Sequence, residues 1–116
     1  MDRLWRATLN TWSGLRTVTL SERAFRQELF VLLVAVPVAF ALAPNAATWL
    51  MLVGSLVFVM VVELLNTAVE KLCDRVTRDI DPLIGQVKDI SSAAVGLALL
   101  LAGAVWLWAL VVRFQA

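Results

Sequence analysis

Polar and apolar positions divide the chain into a few long blocks. No charged residue occurs from Leu29 to Val62, and a second charge-free tract runs from Ile90 to Val112. The first tract read as one helix would rise roughly 50 Å, well beyond a hydrocarbon layer of about 30 Å. It is interrupted by Pro44-Asn45, a turn-forming pair. Two helices folded back at that point fit the layer, so the pattern predicts a helical hairpin. Its first arm runs from about Ala24 to Leu42, with Pro37 tolerated inside it, and its second from about Ala46 to Cys73. The tract at about Ile90–Val112 is long enough to cross once more, which makes three spans.

The first twenty residues alternate differently. On a helical wheel Leu4, Trp5, Thr8, Leu9, Trp12 and Leu15 share one side, while Arg3, Arg6, Asn10, Ser13 and Thr17 share the other. That pattern predicts an amphipathic helix lying in the headgroup plane, Trp rings inward and Arg toward phosphates. The expected fold class is therefore an all-α membrane protein, with a surface helix over residues 1–20 and three transmembrane helices in a single domain.

Composition supports this class. Apolar residues make up 61% of the 116, against about 45–50% in soluble domains. The net charge of +1 gives no reason to expect nucleic acid. One cysteine, Cys73, and no histidine exclude an internal disulfide and the usual structural zinc sites. Arg3, Arg6, Arg16, Arg23 and Arg26 precede the first span, and Lys71, Arg75, Arg78 and Lys88 lie between the second and third; only Arg113 follows the third. The positive-inside rule then puts the N-terminus in the cytoplasm and the C-terminus outside. No cleavable leader is expected, because the first apolar tract has more than twenty residues before it and no cleavage pattern after it.

Against this background the acids stand out. Glu63, Asn66 and Glu70 recur at spacings of three and four in "MVVELLNTAVEKLCD", which aligns them along one side of a helix. Counted from Ala46, Glu63 lies roughly 25 Å along that helix and Glu70 roughly 36 Å. Glu63 falls at the inner edge of the hydrocarbon and Glu70 among the headgroups. A carboxylate at the depth of Glu63 is costly to keep ionised, so it is expected to face protein or a wet cleft, where it suits a general base working near neutrality. Acids that snorkel to water from a helix end are the plainer account, and it serves Glu70 alone. On the same side of the membrane "SERAFRQE" brings Glu22, Gln27 and Glu28 to the first span, and "GQVKDISS" brings Lys88 and Asp89 to the expected start of the third. A helix N-terminus beside a lysine welcomes phosphate, and carboxylates facing it could hold Mg²⁺; Asp89 and the serines could equally be caps. The combination points to phosphoryl transfer to a lipid hydroxyl. A small channel or proton relay would use one intramembrane acid but gives no reason for the acidic clusters and the Lys-Asp pair.

"VVELLNTAVEKLCDR", "SERAFRQE" and "GQVKDISSAAV" together resemble the small integral-membrane diacylglycerol kinases of bacteria, a family that also includes undecaprenol kinases. The resemblance extends to the N-terminal "WSGLR" and the three-span layout, and covers nearly the whole chain. It implies an ATP- and Mg²⁺-dependent kinase of the bacterial inner membrane that converts diacylglycerol to phosphatidic acid. It also implies a homotrimer with active sites shared between neighbouring chains. Carried over by motif, Glu63 would be the catalytic base, and Glu22 and Glu70 the metal ligands beside the nucleotide. Lys88 would steady the phosphates and Asp89 the nucleoside, with Arg3, Asn10, Asp79 and Asp81 completing the nucleotide site. Arg3, Gln27, Glu28, Asn66 and Ser92, with Glu63, would line the lipid headgroup site. At Asn10 some relatives have an aromatic residue, and at Gln86 some have Arg.

The remaining apolar residues need no activity. Small residues of the third span, Ser92, Gly96, Ala98, Ala102 and Gly103, stand at helix-packing intervals and suggest close subunit packing. Trp49, Trp106 and Trp108 are expected in an outer aromatic belt.

Overall fold

The computed structural model describes residues 2–115 and is helical almost throughout, in the order α1 (Asp2–Ser21), α2 (Arg23–Leu42), α3 (Ala46–Val76) and α4 (Pro82–Gln115). The last three are long and apolar enough to cross a membrane. α3 packs along α4 and, less extensively, along α2.

Local chemistry sets each boundary. Between α2 and α3 the chain turns over Ala43, Pro44 and Asn45. Asn45 then caps α3: its Oδ1 accepts from the Thr48 backbone N–H at 2.8 Å and from the Thr48 hydroxyl at 3.0 Å. The cap satisfies one of the four donors that a helix start leaves open. α2 runs on through Pro37, which costs one intrahelical bond.

α3 continues past the expected Cys73 to Val76, where the Thr77 N–H closes the last turn on the Cys73 carbonyl at 3.0 Å. The greater difference is at α4. It begins at Pro82, eight residues before the expected Ile90, because Asp81 and Pro82 form an N-cap and first-turn pair. Asp81 Oδ1 accepts from the N–H groups of Leu83 and Ile84 at 2.9 and 3.2 Å. Lys88 and Asp89 thus lie inside the helix and not at its start, and neither Asp89 nor the neighbouring serines cap it.

The packing is thin and made by small residues. Near the Pro44-Asn45 turn Ala39, Leu52 and Ala109 form one buried cluster; about midway along the bundle Val59, Ala98 and Ala102 form another. Leu52 is the one large side chain with essentially no exposure among the described residues. Ala98 and Ala102 let α4 approach α3 within the same chain, while a side-chain carbon added at Gly96 or Gly103 would meet open space. Two of the tryptophans expected in the belt make hydrogen bonds within the bundle. Trp106 donates its indole N–H to the Leu52 carbonyl at 3.0 Å, and Trp49 donates to the Val36 carbonyl at 3.3 Å while its ring lies 5.0 Å from that of Phe40. Large apolar side chains elsewhere on α2–α4, such as Phe30, Leu100 and Leu107, are exposed, as expected of faces whose solvent is lipid.

α1 joins α2 through the single non-helical residue Glu22. Two backbone bonds bracket this elbow, Glu22 N–H to Val18 O at 2.8 Å and Arg26 N–H to Glu22 O at 3.2 Å. The Arg26 guanidinium also donates to the Thr19 and Leu20 carbonyls at 3.0 Å, so α2 caps the end of α1. From the elbow α1 runs beside the loop end of α3, leaving a groove of about 430 Å³ into which Asn10, Gly14 and Val18 face Leu64, Thr67 and Lys71. Trp5, Leu9 and Trp12 fall on the opposite side of α1 and are exposed.

Candidate active site

The polar residues inside the bundle gather at the end that carries the 77–81 loop and the α1–α2 elbow. Glu63 is their centre. It is half-buried on α3, and its carboxyl feels the charges of Glu70, one helical repeat away, and of Glu22 at the elbow; Glu28 on α2 in turn feels the charge of Glu63. Glu22, Glu28 and Glu70, from two helices and their joint, thus each lie within electrostatic reach of Glu63. None of them forms an ion pair among the described residues, where the single salt bridge joins Lys88 to Asp74.

Each acid is presented by its local structure. Glu22 occupies the N-cap position of α2 in extended conformation, yet its side chain makes no capping bond, which leaves both oxygens for another partner. Glu28 Oε2 is buried without a hydrogen-bond partner among the described residues, beside a cavity of about 320 Å³ walled by Val31, Leu56, Val59 and Leu99. An orphaned buried carboxyl oxygen is expensive unless a ligand completes it. Gln27 borders the same cavity. Apolar walls and one acidic oxygen suit an amphiphile with a hydroxyl.

Asn66 connects α3 to α4. Its Oδ1 accepts from the Ser91 hydroxyl at 2.7 Å, and its Nδ2 faces Glu70 Oε1 at 3.4 Å. The residue of α4 that meets Asn66 is Ser91; Ser92, expected there from the motif, is exposed and makes no side-chain hydrogen bond among the described residues. Lys88 Nζ donates to Asp74 Oδ1 at 2.8 Å. Asp74 lies one turn beyond Glu70, so Glu63, Asn66, Glu70 and Asp74 form one stripe on α3. Ser91 and Asp74 were missed in the sequence. Asp74 could have been found by extending the i, i+4 series, whereas Ser91 becomes a partner only once the packing of α4 on α3 is known.

The other expected residues are less concentrated. Asp81 has its Oδ1 engaged in capping α4, and Asp79 donates its backbone N–H to Thr77 Oγ1 at 3.1 Å within the loop. Asp89 is exposed on α4. Arg3 is exposed near the start of α1, and Asn10 faces the groove beside Lys71. Among the described residues no three acids stand close enough to hold a metal ion by themselves. Magnesium rarely asks for that: it is commonly held by one or two carboxylates together with substrate phosphates. Glu22, whose side chain makes no capping bond, and Glu70, in no ion pair among the described residues, are carboxylates that could serve such a half-site.

Comparison with known proteins places the chain in a family. Residues 9–110 match the family described as prokaryotic diacylglycerol kinase. The chain is 40% identical over 104 residues to the diacylglycerol kinase of Escherichia coli K12, covering 90% of this chain and 85% of the relative. It is 35% identical over 106 residues to the diacylglycerol kinase of Haemophilus influenzae, covering 91% and 90%. To that of Pseudomonas aeruginosa it is 33% identical over 106 residues, covering 91% and 86%. With the match spanning the elbow, all three apolar helices and the acidic stripe, the chain belongs to the prokaryotic diacylglycerol kinase family.

Proposed function

We propose that the protein is an ATP-dependent lipid kinase of the bacterial inner membrane, transferring the γ-phosphate of ATP to the hydroxyl of diacylglycerol to give phosphatidic acid. The observation that carries this reading is that Glu22, Glu28 and Glu70 lie within electrostatic reach of Glu63 at one end of an apolar bundle, with none of the four in an ion pair among the described residues. Such a cluster calls for a positively charged ligand on one side and a hydroxyl on the other. The names of the relatives supply the acceptor.

In this reading the loop end faces the cytoplasm, α1 lies along the headgroups with Trp5, Leu9 and Trp12 inward, and the C-terminus is outside, as the Lys and Arg distribution favours. The lipid hydroxyl enters beside Glu28 and Gln27. Glu63 accepts its proton while the oxygen attacks the γ-phosphorus, and the bond to the β-phosphate oxygen breaks to release ADP. Mg²⁺, when bound with ATP, would neutralise the phosphate oxygens, and Glu22 and Glu70 are the residues that would hold it. Lys88, released from Asp74, reaches toward the phosphates; Arg3, Asn10, Asp79, Asp81 and Asp89 surround the nucleotide. Asn66 borders the headgroup. The chain works as a homotrimer, a reading supported by the open flank of Gly96 and Gly103.

The test is transfer of labelled γ-phosphate from ATP to diacylglycerol in mixed micelles, run beside undecaprenol as a second acceptor. Mg²⁺-dependent labelling of diacylglycerol is expected. No labelled phosphatidic acid from the folded protein would defeat the proposal, and preferential labelling of undecaprenol would reassign the substrate. Glu63→Gln should lower turnover about 10²–10⁴-fold, the range for loss of a general base, while ATP binding persists.

A further inference from the structure

The cluster contains a side chain to which neither the motifs nor the proposed mechanism gives a task. We infer that Ser91 is a positioning residue: its hydroxyl anchors the Asn66 amide, and the anchored amide presents its NH₂ to Glu70, the carboxylate proposed to hold a divalent cation. The inference rests on the kinase reading and deepens it.

The argument begins with what each group can donate. An ionised Glu70 only accepts, so the end of Asn66 that faces it must be the NH₂. That leaves Oδ1 directed at α4, where Ser91 Oγ stands at 2.7 Å, the usual separation for a hydroxyl donating to oxygen. The Asn66 to Glu70 contact is long, 3.4 Å, and too weak to hold a rotamer by itself. The bond to Ser91 is short, half-buried and interhelical, and so sets the amide.

The partner of Ser91 also sets it apart from other helical hydroxyls of the chain. Thr8, Thr11 and Thr19 each donate to the carbonyl four residues back in their own helix, and Ser55 to the carbonyl three back. This is the ordinary fate of a helical hydroxyl. Ser91 does not follow it and instead reaches across to α3, 25 residues away in sequence.

The experiment compares wild type, Ser91→Ala and Ser91→Thr in the labelled-phosphate assay, with free Mg²⁺ varied at fixed, saturating ATP and lipid. Ser91→Ala should raise the Mg²⁺ concentration for half-maximal rate by about tenfold, the lower end of the range for removing a group that orients a metal ligand; Ser91→Thr should restore most of it. Asn66→Asp, which cannot donate to Glu70 when ionised, should shift Mg²⁺ dependence in the same direction and serves if Ser91→Ala fails to fold. An unchanged Mg²⁺ dependence with a lowered unfolding midpoint would mean that the bond only packs α3 on α4, and would overturn the inference. Mn²⁺ binding followed by electron paramagnetic resonance needs no turnover. If wild type binds Mn²⁺ more tightly than Ser91→Ala yet transfers no phosphate, the positioning role stands and the kinase reading falls; equal Mn²⁺ binding rejects the positioning role.

Discussion

The α3–α4 interface has two halves that share a pair of helices and little else. Toward the Pro44-Asn45 turn the contacts are alanine against leucine and valine, closed by one indole bond from Trp106 to the Leu52 carbonyl. Toward the loop they are Asn66 with Ser91 and Asp74 with Lys88, beside acids that repel one another. The first half is apolar and built on small side chains; the second gathers acids, and beside the interface, on α2, Glu28 Oε2 has no hydrogen-bond partner among the described residues. The apolar half is expected to carry stability and the acidic half the proposed chemistry.

This division can be broken or sharpened by substitution. The largest effect should come from Glu63→Gln, in which lost turnover is accompanied by an unfolding transition in detergent that stays in place or moves upward, since one repelling charge is gone. A clear loss of stability would show that Glu63 also serves the scaffold. Leu52→Ala should do the reverse, costing about 2–5 kcal/mol of unfolding free energy while turnover per folded molecule is retained. Ala102→Leu tests the closeness of the same half by overpacking, at about 1–3 kcal/mol; an unchanged midpoint would mean that α4 stands off from α3. Trp106→Phe removes one interhelical bond and should cost about 0.6 kcal/mol, the average for such bonds in membrane helices. Least of all, Asp74→Asn should leave the unfolding midpoint where it is, because the Lys88 pair is exposed on both sides. A shifted midpoint there would make the loop end part of the scaffold after all.

Much of this was legible from spacing. Pro44-Asn45 marked the hairpin because no other reading fits two membrane widths into one uncharged tract, and the structure turns there with Asn45 as cap. Glu63, Asn66 and Glu70 were visible because polar residues at helical intervals have no other reason to interrupt Val and Leu. The start of α4 was misplaced because the tract was bounded by its charges. A helix extends as far as its cap allows, and Asp81-Pro82 carried that signal in the sequence. Tryptophan direction was not legible at all: whether Trp49 and Trp106 face headgroups or a neighbouring carbonyl depends on rotation about the helix axis, which only packing fixes. The same holds for Ser91 and Ser92, about 100° apart on one helix and distinguished solely by which of them meets α3.

The uninterrupted length of α3 has a mechanical consequence. Its 31 residues, capped at Asn45, place Glu63 at a set height above the far end, roughly 27 Å away at 1.5 Å per residue. α3 is therefore a ruler held against the bilayer. Lipids with longer tails would draw that carboxyl deeper into oil unless the helices straighten, and shorter tails would lift it toward water or force a tilt. Membrane thickness thus becomes a control on the height of the proposed chemistry relative to the lipid surface, with no effector bound anywhere.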